Sequence, residues 1–194
     1  MEITWHGKTC LRVKGKNAAV VINPTADSGK LKGEVVLSSL IDEDLAEVEG
    51  MDKLFDWPGE YETKGIPVTA LPARTKEGEG AKPTLIFCFE VDELKICHIA
   101  NIGHELTNDM VSKIGNVDIL ILNCGENSNL SMKKTVEIAE AIEPRAIIPM
   151  GEGNLNTFLK EVGAENTEIQ EKFSIKSASE LSNDKVTYII LSRS

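Results

Sequence analysis

Histidine is what this chain has least of among the residues that do chemistry: three in 194, at positions 6, 98 and 104. No two of them stand in a His-x-His or His-x₃-His arrangement. A catalytic zinc takes about three protein ligands, mostly imidazole or carboxylate, plus an open position for water. An imidazole-rich dinuclear centre is therefore excluded. Also missing is any basic cluster, since 21 Lys and Arg are scattered against 31 Asp and Glu and leave a net charge of −10. That balance argues against a nucleic-acid backbone or an anionic membrane surface as partner. No apolar run approaches the roughly 20 residues of a membrane span. The opening MEITWHGKTCLRV alternates like a strand and lacks the pattern of a secretory signal. Gly-x-Ser-x-Gly is absent, so Ser38 and Ser39 have no local nucleophile motif around them.

What is present describes an ordinary globular chain, 41% hydrophobic and 27% charged. Its length suits one domain over 1–194. The four cysteines, at 10, 88, 97 and 124, are widely spaced in or beside apolar strand-like runs. They read as free thiols of a reducing, cytoplasmic compartment. Periodicity predicts strands at 3–13, 18–23, 34–40 and 66–71 and a hairpin over 84–99, with a glycine-rich charged loop at 74–83. A short helix is predicted at 43–50, where Asp42, Glu43 and Asp44 suit a helix start. From there the pattern alternates: helix 107–115, strand 117–123, helix 132–143, strand 145–150, helix 155–163, and a last strand at 185–192. Strands first and βα units later predict a layered α/β sandwich.

Chemistry in such folds gathers at strand ends, which singles out HIANIGHELT (98–107). His98 and His104 flank Asn101 there, and the sharpest reading is a reduced one-metal site using both. The plainer reading makes His98 a strand-end residue and gives His104 a local hydrogen bond. His6 is read as structural, facing outward from the first strand. The acids at 42–44 are read as solvated rather than as a weak Mg²⁺ or Ca²⁺ site. Cys124, in NCGEN, looks like the most exposed thiol, although a strand-end position usually buries it. GEGN (151–154) is read as a turn that needs glycine, with anion binding before the next helix as the alternative.

Six segments in order, ITWHGKTCL (3–11), VVINP (20–24), WPGEYETKGIPVTAL (57–71), ICHIANIGHELT (96–107), VDILILN (117–123) and EPRAIIPM (143–150), resemble the metallo-β-lactamase fold. The likeness is to its small Zn-dependent hydrolases of the ascorbate-phosphate-lactonase type. It implies an αββα four-layer sandwich, a site along one edge and a zinc cofactor. At the family's His-x-His-x-Asp-His positions this chain has Ser39, Ile41, Glu43 and Asp44. Asn23 stands for the aspartate after the second strand, Asn101 for the bridging aspartate and Gly151 for the histidine of Pro-Met-His. No His-Asp element occurs near Ala73 to Thr75.

The expectation is a pseudohydrolase that has lost its zinc ligands and carries no cofactor. Its former cleft, at Ser39, Ile41, Glu43, Asp44, Asn101 and Gly151, would hold a small molecule or a protein, or the fold would serve in a homo-oligomer. The rival expectation is a metal-dependent hydrolase of phosphoesters or lactones with a relocated site.

Overall fold

The computed structural model describes residues 1–39, 44–99 and 101–194. Its first half is almost all strand: β1 Glu2–Trp5, β2 Leu11–Lys14, β3 Ala19–Ile22, β4 Leu31–Lys32, β5 Val35–Leu37, β6 Val48–Glu49 and β7 Lys53–Phe55. There follow β8 Gly59–Thr63, β9 Ile66–Arg74, β10 Pro83–Val91 and β11 Leu94–Ile99. The second half alternates as α1 Asn108–Ile114, β12 Ile119–Asn123, α2 Met132–Ile142, β13 Ala146–Met150 and α3 Leu155–Glu161. It closes with β14 Ile169–Gln170, β15 Phe173–Ser174, β16 Thr187–Tyr188 and β17 Ile190–Leu191.

Two sheets carry the molecule, one ordered β15-β1-β2-β3-β5-β7 and the other β16-β13-β12-β11-β10-β9-β8. Period-2 alternation sorts their side chains. On β12, Ile119 and Ile121 enter the core between the sheets, while Leu120 and Leu122 face the helices. β13 divides in the same way, with Ile148 inward and Ile147 outward. Such strands are buried on both faces, which is why they read as unbroken apolar runs. Helices α1, α2 and α3 contribute Ile114, Ile138 and Phe158 to one buried cluster with Leu120 and Leu122 of the second sheet. The outer face of the first sheet is covered by a smaller cluster, Cys10, Val21, Val36, Leu31 and Val48. The α/β sandwich expected from the sequence is the fold found.

The helix expected over 43–50 does not form in its described part, 44–50. Val48 instead pairs with Leu31 across parallel β4–β6 and is buried with Cys10 and Val21. A β-branched residue loses little in an extended strand, so the apolar contact overrides a short helical pattern. The strand expected over 3–13 is two strands, turned at Gly7 and Lys8, whose φ values are +92° and +47°. The final strand is likewise divided, β16 joining β13 and β17 joining β14.

The parallel pairs β3–β5 and β11–β12–β13 end at one edge of the sandwich. Their C-terminal ends deliver Asn23, Ser39, Asn101, Asn123 and Gly151 to the same place.

Candidate functional site

These strand ends surround a cleft of about 430 Å³, lined by Ser39, Asn101 and Gly151 together with Thr9, Thr84, Asn123 and two lysines, Lys8 and Lys82. Asn23 lies just beneath it, fully buried in the left-handed region at φ +49°. Its amide donates to Thr9 Oγ1 at 3.1 Å and to Ser39 Oγ at 2.9 Å. Its Oδ1 accepts from the Ser39 backbone N–H at 2.8 Å and lies 3.2 Å from Ser39 Oγ. A primary amide offers two donors and two lone pairs, so Asn23 is saturated by its neighbours. Thr84 adds a tie between the sheets, its hydroxyl donating to the Ser39 carbonyl at 3.1 Å. This wall is neutral and closed on itself.

The opposite wall is made of backbone. The β12–β13 ladder runs past the strand ends, with Cys124 N donating to Met150 O and Glu126 N to Glu152 O, at 3.0 and 2.8 Å. Gly125 and Gly151 therefore pack face to face. A Cβ on Gly151 would lie 2.5 Å from Asn123 Oδ1 and 2.7 Å from Gly125 N, on a backbone at φ +105°. Asn123 bridges outward, its amide donating to Asn101 Oδ1 at 2.9 Å while its Oδ1 accepts from Gly125 N at 3.0 Å. At the rim, Lys8 pairs with Asp27 at 3.6 Å and Arg193 with Glu152 at 3.2 Å.

The histidines lie apart from one another in role. His98 is wholly buried on β11, its Nε2 3.3 Å from the Thr9 carbonyl and its Nδ1 without a partner. Burial pushes its pKa down to about 4, so the ring is neutral at physiological pH. His104 is engaged on both nitrogens: Nε2 accepts from Arg74 N at 3.1 Å and Nδ1 donates to Glu105 O at 2.8 Å. It docks the loop after β11 onto the end of β9, beside Gly103, whose amide donates to Arg74 O at 2.9 Å. His6 sits past the end of β1, half-buried, its Nε2 2.9 Å from Thr4 Oγ1. Burial first, then Arg12, lowers its pKa.

Of the residues singled out from the sequence, Ser39, Asn101 and Gly151 line one cleft. Asp44 is exposed and is not among its lining residues. Ile41 and Glu43, with Asp42, lie outside the described residues. Cys124 is buried, and burial pushes its thiol up to about 12; Cys88 is the most exposed of the four cysteines. Thr9, Thr84 and Asn123 went unremarked in the sequence, because hydroxyls and amides at turns usually serve the backbone. Asn123 alone carried a readable signal, as a polar residue closing an apolar strand.

A family model for the beta-lactamase superfamily domain matches residues 2–151. The chain belongs to the metallo-β-lactamase fold family. Its fold is close to that of a candidate Zn-dependent hydrolase of the metallo-β-lactamase superfamily from Thermotoga maritima, at a TM-score of 0.79 and 22% identity, covering 98% of each chain. Zn²⁺-bound PqqB from Methylobacterium extorquens is similar at a TM-score of 0.60 and 10% identity, over 90% of this chain and 100% of that one. A UPF0173 protein of Pyrococcus abyssi is 24% identical over 190 residues, covering 84% of this chain and 90% of its own length.

These likenesses overturn the expectation of a protein without a cofactor: they point to a metal ion as the cofactor of this metallo-β-lactamase fold. The donors described in the cleft do not suit zinc. Among the described residues no three His, Cys, Asp or Glu side chains come together as a metal-holding group. Amide and hydroxyl oxygens are poor substitutes for the imidazole, thiolate and carboxylate groups zinc prefers, and those of Asn23 are already committed. Among the described residues, no helix is long and apolar enough to cross a membrane.

Proposed function

We propose that this metallo-β-lactamase-fold chain is a pseudohydrolase, a single domain whose strand-end cleft binds a small polar molecule instead of hydrolysing it. The observation that carries the reading is Asn23. A carboxylate at that position would put a buried charge beneath the cleft, whereas this amide is neutral and used up by Thr9 and Ser39. The remaining lining, Asn101, Asn123, Thr75 and Thr84 with Lys8 and Lys82, offers hydrogen bonds and positive charge. Those groups recognise hydroxyl, carbonyl or anionic oxygens, and the one carboxylate of the described lining, Glu152, is held at the rim by Arg193. A role in a homo-oligomer is compatible with the same cleft.

The rival reading, a metal-dependent hydrolase of phosphoesters or lactones using a reduced or relocated site, draws its support from the likeness to the T. maritima candidate Zn-dependent hydrolase and to Zn²⁺-bound PqqB. The two separate in one assay. Purified protein is supplied in turn with zinc, manganese and iron(II), and turnover of a chromogenic phosphodiester and a lactone is followed. The pseudohydrolase reading expects rates no higher than buffer with the same metal. Turnover that disappears in Asn101→Ala would establish the hydrolase.

A further inference from the structure

Away from the cleft, two thiols face each other across the β10–β11 hairpin. Cys88 and Cys97 are register partners, and the Cys88 thiol donates to Cys97 Sγ at 3.7 Å. The hairpin closes through Asp92 and Glu93, both in the left-handed region at φ +53° and +67°. In such a two-residue turn the closing pair, Val91 and Leu94, is hydrogen-bonded, and bonded and non-bonded pairs alternate from there. Cys88 and Cys97 thus occupy a non-hydrogen-bonded pair. The phase is confirmed by Lys95, whose N–H and C=O both turn away from β10 to meet Asp118 on the other side. At non-hydrogen-bonded sites Cα atoms lie ~4.5 Å apart and side chains lean together, within the ~4.4–6.8 Å span that disulfides bridge.

Access is unequal, and usefully so. Cys97 is fully buried, while Cys88 is partly exposed at the wall of a separate depression of about 220 Å³. Lys95 and Lys113 stand around that depression with Glu90.

We propose that Cys88 and Cys97 are a modification site that closes into a reversible intramolecular disulfide on reaction with a low-molecular-weight, carboxylate-bearing disulfide. The Cys88 thiolate attacks one sulfur of the small disulfide, whose S–S bond breaks, and the departing thiolate takes a proton. Cys97 then loses its proton and attacks Cys88 Sγ in the mixed disulfide, expelling the second small thiol. Two protein thiols are oxidised and one small disulfide is reduced to two thiols. The order follows from access: only Cys88 can be reached first. Once Cys88 is the thiolate, the hydrogen bond it accepts from Cys97, and after it burial, hold the Cys97 thiol well above its ordinary pKa. Capping Cys88 removes that cause and readies Cys97 for the second step.

The test uses the full chain and oxidised glutathione, followed by rapid alkylation and a non-reducing peptide map with cleavage after Lys95. The expected product is a peptide pair linked through Cys88 and Cys97, lost on adding dithiothreitol, with Cys10 and Cys124 alkylated. In Cys97→Ala the reaction should stop at a glutathione adduct on Cys88. The wild-type map stands alone should that variant fold poorly. A glutathione adduct that persists on Cys88 in the wild type, no reaction at Cys88, or a linkage to Cys10 or Cys124 would overturn the proposal.

Discussion

The two walls of the cleft are closed by different means. On the first-sheet side, Asn23 fills its side-chain hydrogen-bonding capacity with Ser39 and Thr9. On the second-sheet side, Gly125 and Gly151 bring backbones so close that a Cβ does not fit. One wall is closed by chemistry, the other by space. The difference bears on how each responds to change: a network can be rewritten by a side chain of similar shape, whereas a backbone contact must move. A histidine at 39 alters a hydroxyl, but one at 151 requires displacing Asn123 and Gly125.

The largest effect should come from the wall defined by space. Gly151→His places a side chain at φ +105° against Asn123 and Gly125; strain and overpacking together should cost about 4 kcal/mol. Urea denaturation reads this, and a loss within experimental error of zero would show that the wall yields. Next is the buried imidazole behind the other wall. His98 has a folded pKa near 4, against about 6.5 when unfolded. On acidification the unfolded chain takes up this proton first, so stability is full above about pH 6.5 and falls until about pH 4, by roughly 3 kcal/mol. The slope should be absent in His98→Gln, which separates it from His6; an unchanged slope in that variant would assign the acid sensitivity elsewhere.

Asn23→Ala tests the network itself. It leaves the buried Ser39 N–H without its partner and should cost about 2 kcal/mol. A neutral result would mean that water replaces the amide and that the wall is open, unlike its counterpart. The smallest effect belongs to Thr84→Val, which removes one hydrogen bond between the sheets and should cost about 1 kcal/mol. Coupling between Thr84→Val and Asn23→Ala, measured as a double-mutant cycle, would show that the tie and the network act as one unit.

The sequence made the sandwich legible where periodicity was long. The runs that became β10 to β13 and the helices between them lie where alternation and apolar spacing predicted. Reading failed where a few residues had two local choices, as at Val48, whose burial against Leu31 drew it into a strand. It failed again at Gly7-Lys8, a turn hidden inside an alternating pattern. For the cleft, Ser39, Asn101 and Gly151 were accessible because strand ends and the family likeness both pointed to them. The closure was not. That Asn23 would spend its amide on Thr9 and Ser39, or that Gly151 would face Asn123, depends on distances between segments far apart in the chain. The cofactor shows the same limit: a count of histidines argued against one, while the likeness to metal proteins points to a metal ion.

The sharpest measurement of the account is the stability of Asn23→Asp relative to wild type as a function of pH. A carboxylate there is fully buried and cannot donate to Thr9 and Ser39, so its folded pKa is raised above the unfolded value. The variant should be clearly less stable at neutral pH, and the deficit should shrink as pH falls through the carboxyl range, where the acid protonates in the folded chain first. Equal stability at neutral pH, or a deficit cancelled by added zinc, would show that this position accepts a charged metal ligand and would contradict the account.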